Sequence, residues 1–205
     1  MNRRWLMTLP MLLAVTMARA DHVETMSELL RLPKYCWGTQ QIAEISGDRR
    51  HGEYIKRYGP AYHDLHHYCW ALNTENRVSI TNPSDGKFWL GQAIGDIDYV
   101  LKANKDPKFV FLPEIYTTKA RILFKLDKAA DAVPWLEKAI KTNPNYIPAY
   151  ARLSDYYVEK GDTAEAIKIL NLGIARSKKS DMLSRRLKAL QGKNGETAKP
   201  NQPAQ

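Results

Sequence analysis

The chain has 205 residues, of which 44% are hydrophobic and 26% are charged. These proportions are typical of a packed globular protein, and they exclude a largely disordered chain and a polytopic membrane protein. Two cysteines exclude a disulfide-dense scaffold and a four-cysteine zinc site, which leaves one disulfide at most. The net charge of +9 bears on the partners of the chain and says little about its fold.

Residues 1–20 have the pattern of a secretory signal peptide. Arg3 and Arg4 give a positive start, an apolar stretch follows, and Ala18 and Ala20 place small residues where signal peptidase reads. The apolar stretch, about twelve residues long, is shorter than the roughly 20 residues of a membrane-spanning helix, which favours a cleaved signal peptide. An uncleaved anchor is the alternative. We expect a periplasmic or secreted protein, cleaved after Ala20. Cleavage removes three arginines and no acid, which leaves a net charge of +6.

Residues 21–112 are expected to form a helical N-terminal region. Pro60 opens a predicted helix that contains Leu65, Tyr68 and Leu72 and ends across residues 73–76. Residues 82–86 (NPSDG) are a strong loop signal, and residues 88–103 are expected to form the next helix. The apolar face predicted for that helix consists of Ile94, Ile97, Tyr99, Val100 and Leu101.

Cys36 and Cys69 occur in the same tripeptide, Tyr-Cys-Trp, 33 residues apart. In an oxidising compartment such a pair is expected to form a disulfide, and closing a loop of this length contributes about 3 kcal/mol. Two buried free thiols are one alternative, and a redox or metal role is another.

His63, His66 and His67 form a second polar cluster. On a helix, His63 lies one turn from both other histidines, so two imidazoles could bind a metal ion. No HExxH motif and no CxxCH haem motif accompany them. Histidines that line a helix interface and form local hydrogen bonds are the alternative.

Residues 113–180 repeat with a period of 34 residues. Aromatic residues align with aromatic or large residues, and small residues align with small ones. The aligned pairs are Tyr116 with Tyr150, Ala120 with Ser154, Leu123 with Tyr157, Ala132 with Ala166, Leu136 with Leu170, and Ala139 with Gly173. This period is the signature of stacked helix–turn–helix units, and the small residues stand where paired helices must approach closely.

The pattern resembles the tetratricopeptide repeat family. Pro144 matches the proline that closes a unit, whereas Lys119 and Asp127 depart from the Leu and Gly of the family motif, and Lys178 stands in place of the second closing proline. The resemblance implies an all-α fold, a right-handed α-solenoid with repeats at 113–146 and 147–180. Residues 21–112 are then interpreted as a degenerate unit with an insertion.

The C-terminal end is expected to close the solenoid. Ser180 is a candidate N-cap for a capping helix at 181–190, in which Met182, Leu183, Leu187 and Leu190 are apolar. Residues 191–205 contain no large apolar side chain, so we expect a disordered tail there.

The family resemblance also implies a concave groove lined by the first helix of each unit. The candidates that face it are Thr117, Arg121, Phe124 and Lys125 in the first repeat and Ala151, Asp155, Val158 and Glu159 in the second. Arg121 and Lys125 could hold an acidic group or a C-terminal carboxylate, whereas the second set is acidic. The clamp of chaperone-binding members is not reproduced. A solvated helix face is the alternative, and Arg121→Ala is expected to leave the thermal midpoint nearly unchanged.

We expect a binding protein rather than an enzyme, with no cofactor. The sequence has no GxSxG motif and no glycine-rich phosphate loop. The leading hypothesis is an exported adaptor or scaffold for a protein or peptide partner, acidic groups included, in an envelope assembly or secretion system. The alternative is a metal- or haem-handling protein that uses the three histidines.

A basic surplus near the C-terminus bears on a second kind of contact. Only Asp181 opposes the cations there, which are Arg176, Lys178, Lys179, Arg185, Arg186 and Lys188. This patch is compatible with peripheral contact with membrane or cell wall, or with a charged end cap that keeps the solenoid soluble. Nucleic acid is not expected, because export removes the chain from the cytosol. The sequence does not determine the oligomeric state.

Overall fold

The computed structural model describes residues 22–177 and 180–197, the last five of these by their backbone only. The predicted signal peptide, residues 198–205 of the predicted tail, Lys178 and Lys179 therefore lie outside the described residues. Within the described ranges the chain forms helices and no strand. None of the described helices has both the length and the apolar composition of a bilayer span.

Four short helices form the N-terminal segment: α1 (Met26–Leu29), α2 (Lys34–Trp37), α3 (Ile42–Ser46) and α4 (His51–Tyr58), followed by a 3₁₀ helix at Pro60–Asp64. Thr25 and Glu28 cap each other's backbone at the start of α1. Gly47 ends α3 in the left-handed conformation, with φ of 70°. The segment buries Leu29, Leu32 and Ile42 in the common core.

Helices α5 (Leu65–Thr81) and α6 (Gly86–Ala103) pack together as the first pair of the solenoid. Their turn uses Asn82 in the left-handed conformation, within the predicted loop. The predicted end of α5 at residues 73–76 is wrong, because the helix continues to Thr81. Two of the polar residues that suggested an exit are buried and have partners: the Asn73 amide donates to the His22 carbonyl oxygen at 3.1 Å, and Glu75 pairs with Arg121.

The apolar face of α6 differs in part from the prediction. Ile97 and Val100 are buried, together with Leu90 and Ala93. Tyr99 is instead 50% exposed, and its ring packs on that of His67 at 4.1 Å between centroids. Since Tyr99 is two residues from Ile97, it points to a different side of the helix.

The two repeats form α7 (Leu112–Lys125) with α8 (Ala129–Thr142), and α9 (Ile147–Glu159) with α10 (Thr163–Arg176). Proline stands in the first turn of both α7 and α9, where its missing N–H costs no hydrogen bond. Ala120, Ala132, Ala139 and Ala166 are fully buried, as expected for residues at close helix contacts.

Both departures of the first repeat from the family motif have a structural reason. Asp127 adopts φ of 60°, and the equivalent Gly161 adopts φ of 77°, so the aspartate takes the same left-handed turn. Lys119 is buried, pairs with Asp98 on α6, and places its ammonium 4.0 Å from the centroid of the Trp135 ring. Lys119 therefore connects the first repeat to the helix pair before it.

The helix pairs stack in chain order, since α6 packs on α7, α8 on α9, and α10 on α11. Helix α11 (Asp181–Thr197) covers the end of the stack with the buried side chain of Leu183. It continues beyond the predicted end at Leu190. Extending a helix that is already anchored adds one hydrogen bond per residue, which is less costly than nucleating a new helix. The fold is thus an all-α solenoid.

Candidate partner-binding groove

The first helices of successive pairs, α5, α7 and α9, together with α11, line one concave groove. It consists of two adjoining cavities of about 740 and 500 Å³, which share Asn76, Arg121 and Arg152. We call the larger cavity the carboxylate-rich half, after Glu75, Asp127, Asp155 and Glu159. We call the smaller cavity the arginine-rich half, because its charged residues are Arg31, Arg121, Arg152 and Arg186 against Glu114.

The structure brings most of the predicted groove residues together. The carboxylate-rich half is lined by Arg121, Phe124, Lys125, Asp155 and Glu159. Thr117 and Ala151 line the arginine-rich half, but Thr117 is buried and its hydroxyl donates to the Pro113 carbonyl oxygen at 2.8 Å. Val158 is 40% exposed and lines neither cavity.

Glu75 forms ion pairs with Arg121 and Lys125, the two cations that were expected to bind a partner's carboxylate. The Arg121 guanidinium donates to both carboxylate oxygens, at 2.7 and 2.5 Å, and the Lys125 ammonium lies 2.8 Å from Oε1. Burial alone would raise the pKa of Glu75, but the hydrogen bonds and charges of Arg121 and Lys125 outweigh it and lower that pKa. The three side chains therefore carry a net charge of only +1.

Sequence reasoning missed Glu75 because it belongs to a helix outside the recognisable repeats, 46 residues from Arg121. The only sign of Glu75 in the sequence was that a carboxylate stands at residues 73–76, where the predicted helix was expected to end.

A second internal ion pair joins α9 to α11. Asp155 pairs with Arg186, so the first predicted acid of the second repeat is also neutralised within the chain. Glu159, Arg31 and Arg152 are exposed and form no ion pair with any residue that the structure describes. Arg31 and Arg152 were not predicted, since Arg31 precedes the repeats and Arg152 lies beside the expected groove position of Ala151.

The lining of the arginine-rich half includes a carboxylate that accepts two hydrogen bonds on its Oε1 atom. Glu114 accepts hydrogen bonds from the hydroxyls of Tyr35 and Tyr68, the latter at 3.1 Å. Burial and the nearby Glu114 raise the pKa of both tyrosines, so both hydroxyls stay protonated and donate. Because Tyr35 belongs to α2, this contact attaches the N-terminal segment to α7.

Cys36 and Cys69 form a disulfide whose Cα atoms are 5.8 Å apart. Both residues are fully buried, and the bond joins α2 to α5. The Tyr62 hydroxyl also donates to the Tyr35 carbonyl oxygen at 2.6 Å. These bonds fix the N-terminal segment beside the groove.

The predicted histidine cluster lies away from the groove and consists of side chains with local partners. The Nδ1 atom of His66 is 3.1 Å from the His63 carbonyl oxygen, and Nδ1 of His67 is 2.9 Å from a carboxylate oxygen of Asp96. Burial, followed by the nearby His67, lowers the pKa of His66. Within the described parts of the chain, no three His, Cys, Asp or Glu side chains form a group that could hold a metal ion.

Residues 114–193 match the model of the tetratricopeptide repeat family. This match covers α7 to α10 and much of α11, the elements that line most of the groove. No curated protein shows significant similarity to the chain. Residues 114–193 therefore form a tetratricopeptide repeat region, and such repeats generally mediate protein–protein interaction as non-catalytic scaffolds.

Proposed function

We propose that this protein is an exported adaptor that binds an extended segment of a partner protein in the concave groove, as part of an envelope assembly or secretion system. The observation that carries the proposal is the groove itself, built by helices from three consecutive pairs and the capping helix, and lined by both apolar and charged side chains. A surface of this shape fits an extended peptide better than a small molecule.

Export is supported by two independent features. Residues 1–20 have the charge and hydropathy pattern of a signal peptide. The chain also joins its two cysteines in a buried disulfide, and structural disulfides persist in oxidising compartments. A fusion of residues 1–25 to an alkaline phosphatase that is active only outside the cytosol tests export. We expect the fusion to have phosphatase activity, and we expect that activity to be lost when residues 2–20 are deleted.

An acidic partner segment is supported by Arg31 and Arg152 of the arginine-rich half, which form no ion pair with a described residue, whereas Arg121 and Arg186 are paired within the chain. The exposed basic residues Arg185 and Lys188 lie on α11, outside both groove cavities, and a peripheral contact with membrane or cell wall would use them.

Site-specific photo-crosslinking tests where the partner binds. A photoreactive phenylalanine analogue placed at Tyr156, which lines the groove, should crosslink the partner in living cells. The matched control is the same analogue at Phe88, which is 58% exposed and lies outside both cavities. Partner crosslinks from position 88 alone, or equally from both positions, would refute binding in the groove.

A further inference from the structure

Two groove arginines differ from all the other groove cations. Arg121 and Lys125 are paired with Glu75, and Arg186 is paired with Asp155. Arg31 and Arg152 also line the groove, yet neither forms an ion pair with any described residue, and both are exposed. Both line the arginine-rich half, and Arg152 also lines the carboxylate-rich half.

Arg31 is held in place by its neighbours in the chain. Leu29 and Leu32 on either side of it are buried in the core, and Pro33 lines the same cavity. Farther along, Tyr35 donates to Glu114, and Cys36 is bonded to Cys69. The backbone that carries Arg31 is thus anchored to α5 and α7, so binding a ligand costs the rotamer freedom of the side chain but requires no ordering of the backbone.

The backbone of Arg152 is held in a similar way, on α9. It belongs to the middle of α9, between the buried residues Ala151 and Leu153. The lining of the cavity that both arginines share also contains the apolar residues Leu72, Pro148 and Met182. The one carboxylate of this half, Glu114, already accepts two tyrosine hydrogen bonds and pairs with neither arginine.

We propose that Arg31 and Arg152 form a subsite that binds the carboxylates of an acidic peptide segment. A guanidinium binds a carboxylate through two parallel hydrogen bonds, and the apolar lining accommodates the rest of the peptide. The subsite makes the N-terminal segment, which lies outside the repeats, a part of the binding surface. This inference rests on the proposed function of the groove.

The test uses the full oxidised protein and a rhodamine-labelled hexaglutamate peptide with blocked termini, followed by fluorescence anisotropy at low ionic strength. Hexaglutamine with the same label and blocked termini is the neutral control. We expect hexaglutamate to bind, hexaglutamine not to bind, and the affinity for hexaglutamate to fall with added salt, because the charges involved are exposed.

The deciding variant is Arg31→Gln with Arg152→Gln, for which we expect at least a tenfold loss of affinity for hexaglutamate and an unchanged thermal melt. The matched control is Arg49→Gln with Arg57→Gln, which removes the same charge from exposed arginines outside the groove. The control should bind as the unmodified protein does. Equal losses in both variants, or no loss in the first, would overturn the subsite.

A peptide carboxylate can come from the chain terminus or from acidic side chains. A hexaglutamine peptide with a free C-terminal carboxylate distinguishes these two sources. Binding that depends on both arginines assigns the subsite to a chain terminus, and absence of binding assigns it to acidic side chains.

Asn76→Trp separates this proposal from the proposed function, because Asn76 lines both cavities and a bulky side chain there blocks the groove. If Asn76→Trp abolishes partner crosslinking at position 156 while the double arginine variant changes neither crosslinking nor hexaglutamate binding, the subsite is refuted and the adaptor function stands. If Asn76→Trp leaves crosslinking unchanged, the groove function itself is refuted.

Discussion

The guanidinium of Arg121 on α7 donates to both carboxylate oxygens of Glu75 on α5, at 2.7 and 2.5 Å. The Glu75 side chain is 5% exposed, so its charge is almost fully removed from water. The pair therefore connects the recognisable repeats to the helix pair before them. Arg121 therefore stabilises the fold through Glu75 and also lines the groove.

We predict that Arg121→Met lowers the free energy of unfolding by about 3 kcal/mol, because it leaves Glu75 buried with Lys125 as its remaining partner. This reverses the expectation from the sequence that Arg121→Ala leaves the thermal midpoint nearly unchanged. Urea unfolding at pH 7 measures the loss. A double-mutant cycle with Glu75→Gln should show that the two losses are far from additive, and additive losses would contradict the pair.

The pKa of Glu28 leads to a prediction of how the free energy of unfolding depends on pH. Burial alone would raise the pKa of Glu28, but the hydrogen bond and charge of Arg77, together with backbone hydrogen bonds, lower it from 4.5 to about 2. A lowered folded-state pKa adds stability that is present above the unfolded value. This stability is lost as the pH falls from about 4.5 towards about 2.

Glu28→Gln should therefore lower stability at pH 7 and flatten its decline between pH 4.5 and 2, as followed by urea unfolding at several pH values. Glu53→Gln is the matched control, since Glu53 is exposed and forms no ion pair with a described residue. The same pH profile in both variants would show that Glu28 has no special role.

Gly173 packs against the capping helix α11 with no room for a larger side chain. A Cβ atom at this position would lie 2.6 Å from Cδ1 of Leu183 and 2.8 Å from Cγ of Tyr150. We expect Gly173→Ala to lower the free energy of unfolding by about 1–3 kcal/mol through overpacking. Gly91→Ala in α6 is the control, because a Cβ there meets nothing within 4 Å. It should raise stability by about 0.5–1 kcal/mol through helix propensity, and thermal melts that rank the two variants the other way would refute this account.

The disulfide predicts both the thiol content and the stability of the native protein. Alkylation should modify neither Cys36 nor Cys69 before reduction and both after it. Reduction should lower the free energy of unfolding by about 3 kcal/mol, the value expected for a loop of this length. Because Arg31 is anchored through the same segment, reduction should also weaken hexaglutamate binding. Two modifiable thiols in the native protein would refute the bond.

The repeats could be predicted from the sequence because their signals are local. Small and aromatic residues recur every 34 positions, and the structure forms α7 to α10 over these residues. Turn chemistry was also readable at the loop that contains Asn82. Where local and tertiary signals conflict, at residues 73–76, burial of Asn73 and Glu75 continues a helix that the polar sequence would end.

The charge state of the groove was decided by tertiary structure alone. The sequence placed Arg121, Lys125 and Asp155 on the groove side of their helices, but it contained no information that Glu75 and Arg186 would form ion pairs with them. Nor could it place Arg31 in the groove, because that position depends on the disulfide and on the contact between Tyr35 and Glu114. Helix periodicity reports which face a residue occupies, whereas ion pairing depends on the distance between side chains far apart in the chain, and only the packed fold fixes that distance.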